Sequence, residues 1–95
     1  MEARASHSQS EWVTPAAPSL RIGLGRAIRA ARLSAGMTQE DLASRAGLHS
    51  TYVSRLEGGL KSPTLDVLVA IAGALGLTTH RLIQDAEMQE QAPSF

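Results

Sequence analysis

The chain has 95 residues, 43% of them hydrophobic and 19% charged, a size and balance that fit one domain and leave no length for a second core. It contains no cysteine, which excludes disulfides, thiolate metal sites and cysteine nucleophiles. The formal net charge of zero is unevenly spread: residues 20–84 hold eight basic and four acidic side chains, net +4, residues 1–19 sum to −1, and residues 85–95 carry Asp85, Glu87 and Glu90 with no base.

Residues 1–19 are rich in Ser, Ala and Pro and show no periodicity that buries a face, so they read as a flexible arm. In residues 24–35, Leu24, Ile28, Ala31 and Ala35 recur at helical spacing with arginines between them, which predicts an amphipathic helix stopped by Gly36. Thr38 offers a hydroxyl N-cap to a second helix, with Glu40 and Asp41 in its first turn, Leu42, Ala43 and Ala46 facing inward and Gly47 at its end. A third helix begins at His49 or Ser50, runs to Glu57, places Val53 and Leu56 on one face and stops at Gly58-Gly59. Pro63 and Thr64 precede a fourth, with Leu65, Leu68, Ile71, Ala72 and Leu75 as its apolar stripe. Thr78 caps a short fifth that carries Leu82 and Ile83. With Trp12, Tyr52 and Phe95 as the only aromatics, the core must come from aliphatic side chains, and the expected architecture is a compact all-α domain of five helices over residues 20–84, followed by an acidic tail from residue 85.

The longest apolar stretch, residues 67–77, is about half of the roughly 20 residues a membrane span requires, and no apolar run near the N-terminus resembles a signal peptide. The expectation is a soluble, cytoplasmic protein without a membrane partner.

Function is most legible in helices two and three. Ala43 is small enough for two helices to cross closely, Gly47 tolerates the positive φ of a tight turn, and Leu42, Val53 and Leu56 lock the pair to the core, as a helix-turn-helix requires. At about 100° per residue, with Val53 inward, Thr51 and Arg55 point outward, flanked by Ser54 and Tyr52. Such a face suits the major groove, where Arg pairs with guanine and Thr touches a base edge or a thymine methyl group. On pattern alone, an ordinary solvated helix face fits as well.

The sequence resembles the lambda-repressor-like, or Cro/repressor-type, helix-turn-helix proteins of the xenobiotic response element family. The resemblance covers residues 24–83 and runs in order through Gly25-Arg26-Ala27-Ile28-Arg29, Arg32, Gly36-Met37-Thr38-Gln39-Glu40-Asp41-Leu42-Ala43, Gly47-Leu48, Tyr52-Val53-Ser54-Arg55-Leu56-Glu57-Gly58-Gly59, Ser62-Pro63-Thr64-Leu65 and Ala74-Leu75-Gly76. It implies that Thr38 and Gln39 lie at a phosphate-contacting helix start, that His49, Ser50, Thr51 and Arg55 face bases, that Tyr52 and Ser54 border the DNA backbone, and that Lys61 and Ser62 meet further phosphates. It also implies a structural ion pair between Arg32 and Glu57. His49 is a poor helix cap, so Ser50 is a candidate cap, and Ser50 stands where relatives often carry Arg or Lys. Residues 51–57 are close to those of the small controller proteins of restriction-modification systems.

His7, His49 and His80 lack metal-ligand spacing, Gly23 and Gly25 follow no strand and form no phosphate loop, and nothing arranges Ser, His and Asp as a triad. The reading is therefore of a non-enzymatic regulator without metal or cofactor that binds double-stranded DNA at a pseudo-palindromic operator as a homodimer. Leu77, Leu82 and Ile83 are the expected dimer contacts, because adjacent Leu82 and Ile83 cannot both point into one core. The alternatives are an antitoxin that also binds a toxin, and a protein-interaction module that uses the same fold without DNA.

Overall fold

The computed structural model describes residues 17–90. It contains five helices: α1 (Ala17–Ser34), α2 (Gln39–Ala46), α3 (Ser50–Glu57), α4 (Leu65–Ala74) and α5 (Thr79–Glu90). Among the described residues there is no strand, and no single helix is long and apolar enough to cross a membrane.

Both terminal helices outrun the sequence-based boundaries. α1 begins at Ala17, inside the segment read as an arm, and α5 continues to Glu90, past the expected domain end at residue 84. The extension of α5 is a packed part of the fold, since Ala86 is fully buried. The remaining parts of the arm and tail, residues 1–16 and 91–95, lie outside the described residues.

The long α1 packs along α5 and against α3, while α2 packs on α3 and α4, and α4 on α5. Ile28, Leu42, Leu56, Ile71, Leu82 and Val53 form the fully enclosed centre, so each helix contributes at least one side chain. Two glycines allow α1 to lie so close to its neighbours. A β-carbon on Gly23 would stand 2.3 Å from the Ala86 carbonyl oxygen, and one on Gly25 would stand 2.5 Å from the carbonyl oxygens of both Leu56 and Glu57. These glycines, to which the sequence reading gave no packing role, set the distance of α1 from α5 and from the end of α3.

Several inward assignments change. Leu65 is 71% exposed because it opens α4, before the helix reaches the core, and Ala35 is exposed in the turn after α1. Leu82 is 0% exposed, which removes it from any surface a second copy could touch. Leu77 and Ile83 are half-buried but lie in different places. Leu77 lines a groove of about 510 Å³ with Ala27, Ala31, Leu75 and Met88, whereas Ile83 closes a cleft of about 220 Å³ with Leu20, Leu24, Pro63 and Leu68. The adjacency of Leu82 and Ile83 is thus resolved within one chain, with Leu82 at the centre and Ile83 at its edge.

Candidate nucleic-acid interface

The site starts with the cap of α2. Thr38 is extended, its hydroxyl accepts from the Asp41 amide at 3.0 Å, and its own amide donates to the Asp41 carboxylate at 2.9 Å, a reciprocal capping box. The Thr38 backbone amide holds the Asp41 carboxyl below the usual carboxylate range, helped by the hydroxyl. A helix start presents four amides without intrahelical acceptors. The box uses those of Thr38 and Asp41, which leaves the Gln39 and Glu40 amides at the positive end of the helix dipole.

α2 ends at Gly47, whose φ of 73° lies in the left-handed region that favours glycine, and the Leu48 amide turns back to the Ala43 carbonyl at 2.8 Å. Leu48 alone separates this turn from His49, the N-cap of α3. The His49 side chain makes no cap bond; its carbonyl accepts from the Tyr52 and Val53 amides. Ser50 is consequently the first residue of the helix and half-buried, not its cap.

Along α3, Val53 and Leu56 are buried, and His49, Thr51, Ser54 and Arg55 are exposed. Tyr52 is half-buried against the hydrophobic core, so its ring borders the exposed face from a packed position. Lys61 and Ser62 are exposed on the loop after α3. That loop is fastened from below: Arg21 Nε of α1 donates to the Gly59 carbonyl at 2.8 Å, and Gly59 itself needs its positive φ of 74°.

Beneath this surface lies a polar clamp. Arg32 Nε donates to Glu57 Oε2 at 2.6 Å and Arg32 Nη2 to Glu57 Oε1 at 3.0 Å, with side-chain exposures of only 9% and 4%. Arg32 Nη1 donates to the Met37 carbonyl at 2.9 Å, and Gln39 Nε2 donates to Glu57 Oε1 at 3.0 Å. The hydrogen bond to Glu57 raises the Arg32 pKa against the opposing effect of burial, so the guanidinium stays charged. A buried charge is tolerable only when paired and hydrogen-bonded in this way.

Sequence reasoning did not reach the Gln39 bond to Glu57, the Arg21 bond to Gly59 or the Met37 acceptor. Two glycines inside a helical stretch were the available signal for a close backbone approach. Nothing in residue type marked the partners of Gln39 and Arg21. Among the described residues, no three His, Cys, Asp or Glu side chains gather as metal ligands.

Residues 28–82 match a helix-turn-helix family model. The chain is 38% identical over 66 residues to control protein C.BamHI of Bacillus amyloliquefaciens, covering 68% of this chain and 82% of that one. It spans about half the length of several other curated relatives it matches. Its fold is similar to that of the clp gene regulator ClgR from Corynebacterium glutamicum, with a TM-score of 0.72 and 31% identity over 75% of this chain and 76% of that one. It is also similar to the restriction-modification controller protein C.AhdI from Aeromonas hydrophila, with a TM-score of 0.64 and 31% identity over 65% of this chain and 94% of that one. With the family model spanning more than half of its residues and all five helices in lambda-repressor-like order, the chain belongs to the helix-turn-helix family.

Proposed function

We propose that the protein is a cytoplasmic, sequence-specific transcriptional regulator that binds duplex DNA through α2 and α3. The observation that carries this reading is the two-sided construction of α3. Val53 and Leu56 anchor it in the core, while Thr51, Ser54 and Arg55 stand exposed on the other side of a helix fixed by a three-residue link to α2. In this arrangement Arg55 and Thr51 read base edges, and Ser50 and His49 lie at the leading end of the recognition helix. The free amides at the start of α2, the Gln39 side chain and the hydroxyl hydrogen of Thr38 serve a phosphate on one flank, and Lys61 and Ser62 serve one on the other. Two of the similar proteins are control proteins by name, which favours control of a restriction-modification operon as the cellular role.

A domain of this size covers one half-site, and twofold pairing is the ordinary route to useful specificity. The homodimer is proposed to form around α4 and α5, where Leu65 and Val69 remain exposed, Val69 by 52%, and Leu77 between the two helices is half-buried. Such pairing sets two recognition helices about one DNA turn, roughly 34 Å, apart. Selection of bound fragments from a fragmented source genome by the purified protein tests the whole reading. Recovery of a short inverted repeat is the expected result, and enrichment no different from random DNA overturns sequence specificity. Sedimentation at micromolar concentration tests the pairing: a monomer, with Val69→Asp changing neither mass nor operator affinity, refutes the dimer.

A further inference from the structure

We infer that Glu57, at the buried end of the recognition helix, is a positioning residue for DNA-backbone binding: it aims the Gln39 side chain at the phosphate, besides pairing with Arg32. The inference rests on the regulator reading above. The Glu57 side chain is 4% exposed and accepts three hydrogen bonds, two from Arg32 of α1 and one from Gln39 of α2. The Arg32 fork alone neutralises the carboxylate and joins α1 to α3. The third bond therefore adds nothing to charge balance. What it does add is a fixed rotamer for Gln39.

A free glutamine has three rotors, and its amide would be ordered only at the cost of that freedom when DNA arrives. Held by one Nε2–H at Glu57 Oε1, the carboxamide keeps its second N–H and its carbonyl oxygen for other partners, beside the Gln39 and Glu40 backbone amides left open by the capping box. Arg32 steadies the same place from behind through the Met37 carbonyl, immediately before the Thr38 cap. The carboxylate thus sets the end of α3, the start of α2 and a phosphate-facing side chain in one register. Phosphates carry no sequence information, so the contribution is equal on every duplex.

The test is a double-mutant cycle on a mixed-sequence duplex at low salt, read by fluorescence anisotropy at a temperature where circular dichroism shows each variant folded. Gln39→Ala is placed in the parent chain and in the Arg32→Met/Glu57→Met variant, whose apolar replacement of a buried pair is commonly neutral or stabilising. Should that variant be unfolded, Arg32→Leu/Glu57→Leu, which likewise removes the acceptor of the Gln39 bond, takes its place. The expected result is a loss of roughly three- to tenfold in affinity for Gln39→Ala in the parent, the scale of one hydrogen bond. In the background lacking the carboxylate little or no further loss is expected. An equal loss in both backgrounds overturns the inference, because Gln39 would then reach phosphate unaided. No loss in either also overturns it, while leaving DNA binding by the parent as evidence for the regulator reading. A parent that binds no duplex overturns both.

Discussion

The same substitution, glycine to alanine, should move stability in opposite directions at two helical positions of this protein. In a helix interior, alanine is favoured over glycine by up to about 1 kcal/mol, because glycine loses more backbone freedom on folding. At Gly73 in α4, an added β-carbon meets nothing within 4 Å, so Gly73→Ala should gain roughly 0.5 kcal/mol there, near the helix end. At Gly25 the added carbon would lie 2.5 Å from two backbone carbonyl oxygens, whereas ordinary contact begins at 3.4 Å. Helix α1 would have to withdraw from the end of α3 by most of an ångström, since neither carbonyl is a flexible side-chain end. That movement loosens Ile28 in the core and stretches the Arg32 bonds to Glu57. Overpacking costs typically about 1–3 kcal/mol, and here a stretched buried ion pair is added to it, so the propensity gain is overwhelmed. Gly25→Ala should therefore destabilise by about 2 kcal/mol net, a fall in melting temperature of roughly 8–16 °C for a domain of this size, while Gly73→Ala raises it by a few degrees. Thermal melts followed by circular dichroism at one fixed protein concentration measure both. A Gly25→Ala variant as stable as the parent would show that α1 does not need the close approach and would refute the reasoning.

Glu57→Ala should destabilise by about 3–5 kcal/mol, because it strands the buried Arg32 charge; an unchanged denaturation midpoint would sink the clamp's structural role. Arg55→Ala should leave the melting temperature unchanged and weaken operator binding by about 1–3 kcal/mol, with a smaller effect on random DNA, since Arg55 is exposed and suited to guanine. Equal loss on both duplexes in titrations at matched salt would assign Arg55 to phosphate. The Asp41 carboxyl has a lowered pKa in the folded state, so its capping contribution is complete above the ordinary carboxylate pKa and fades as the pH falls through the lower folded value. Asp41→Asn should accordingly narrow the stability difference between neutral and acidic pH, and melts of equal pH dependence for the two proteins would contradict this.

Apart from the start of α1 and the end of α5, helix starts and stops were legible because they are local. Thr38, Thr64 and Thr78 cap with their own hydroxyls, reaching amides three residues on, and Gly36, Gly47, Gly59 and Gly76 take positive φ irrespective of what lies across the fold. The outward face of α3 was legible for the same reason, since helical periodicity places Thr51 and Arg55 opposite Val53 once one apolar residue is buried. Family resemblance supplied the Arg32–Glu57 pairing, which periodicity alone could not, as the two residues lie 25 positions apart.

What only tertiary structure decided are the contacts whose partner is distant and whose residue types are unremarkable. Polar and small side chains such as Arg21, Gln39, Gly23 and Gly25 fit a solvated helix as well as a packed one, and which applies depends on the element that arrives beside them. The bond from Arg21 to the Gly59 carbonyl spans 38 residues, and Gly25 matters because two carbonyl oxygens of α3 stand where its side chain would be. Likewise, an acidic C-terminal stretch reads as solvated until α1 supplies a surface for it; Ala86 is then fully enclosed and α5 continues to Glu90. Leu82 and Ile83 show the same limit, since adjacent apolar residues on a helix must diverge by about 100°, but whether the second meets a twin or its own chain depends on the neighbouring surface. Here Leu20, Leu24 and Pro63 provide that surface for Ile83.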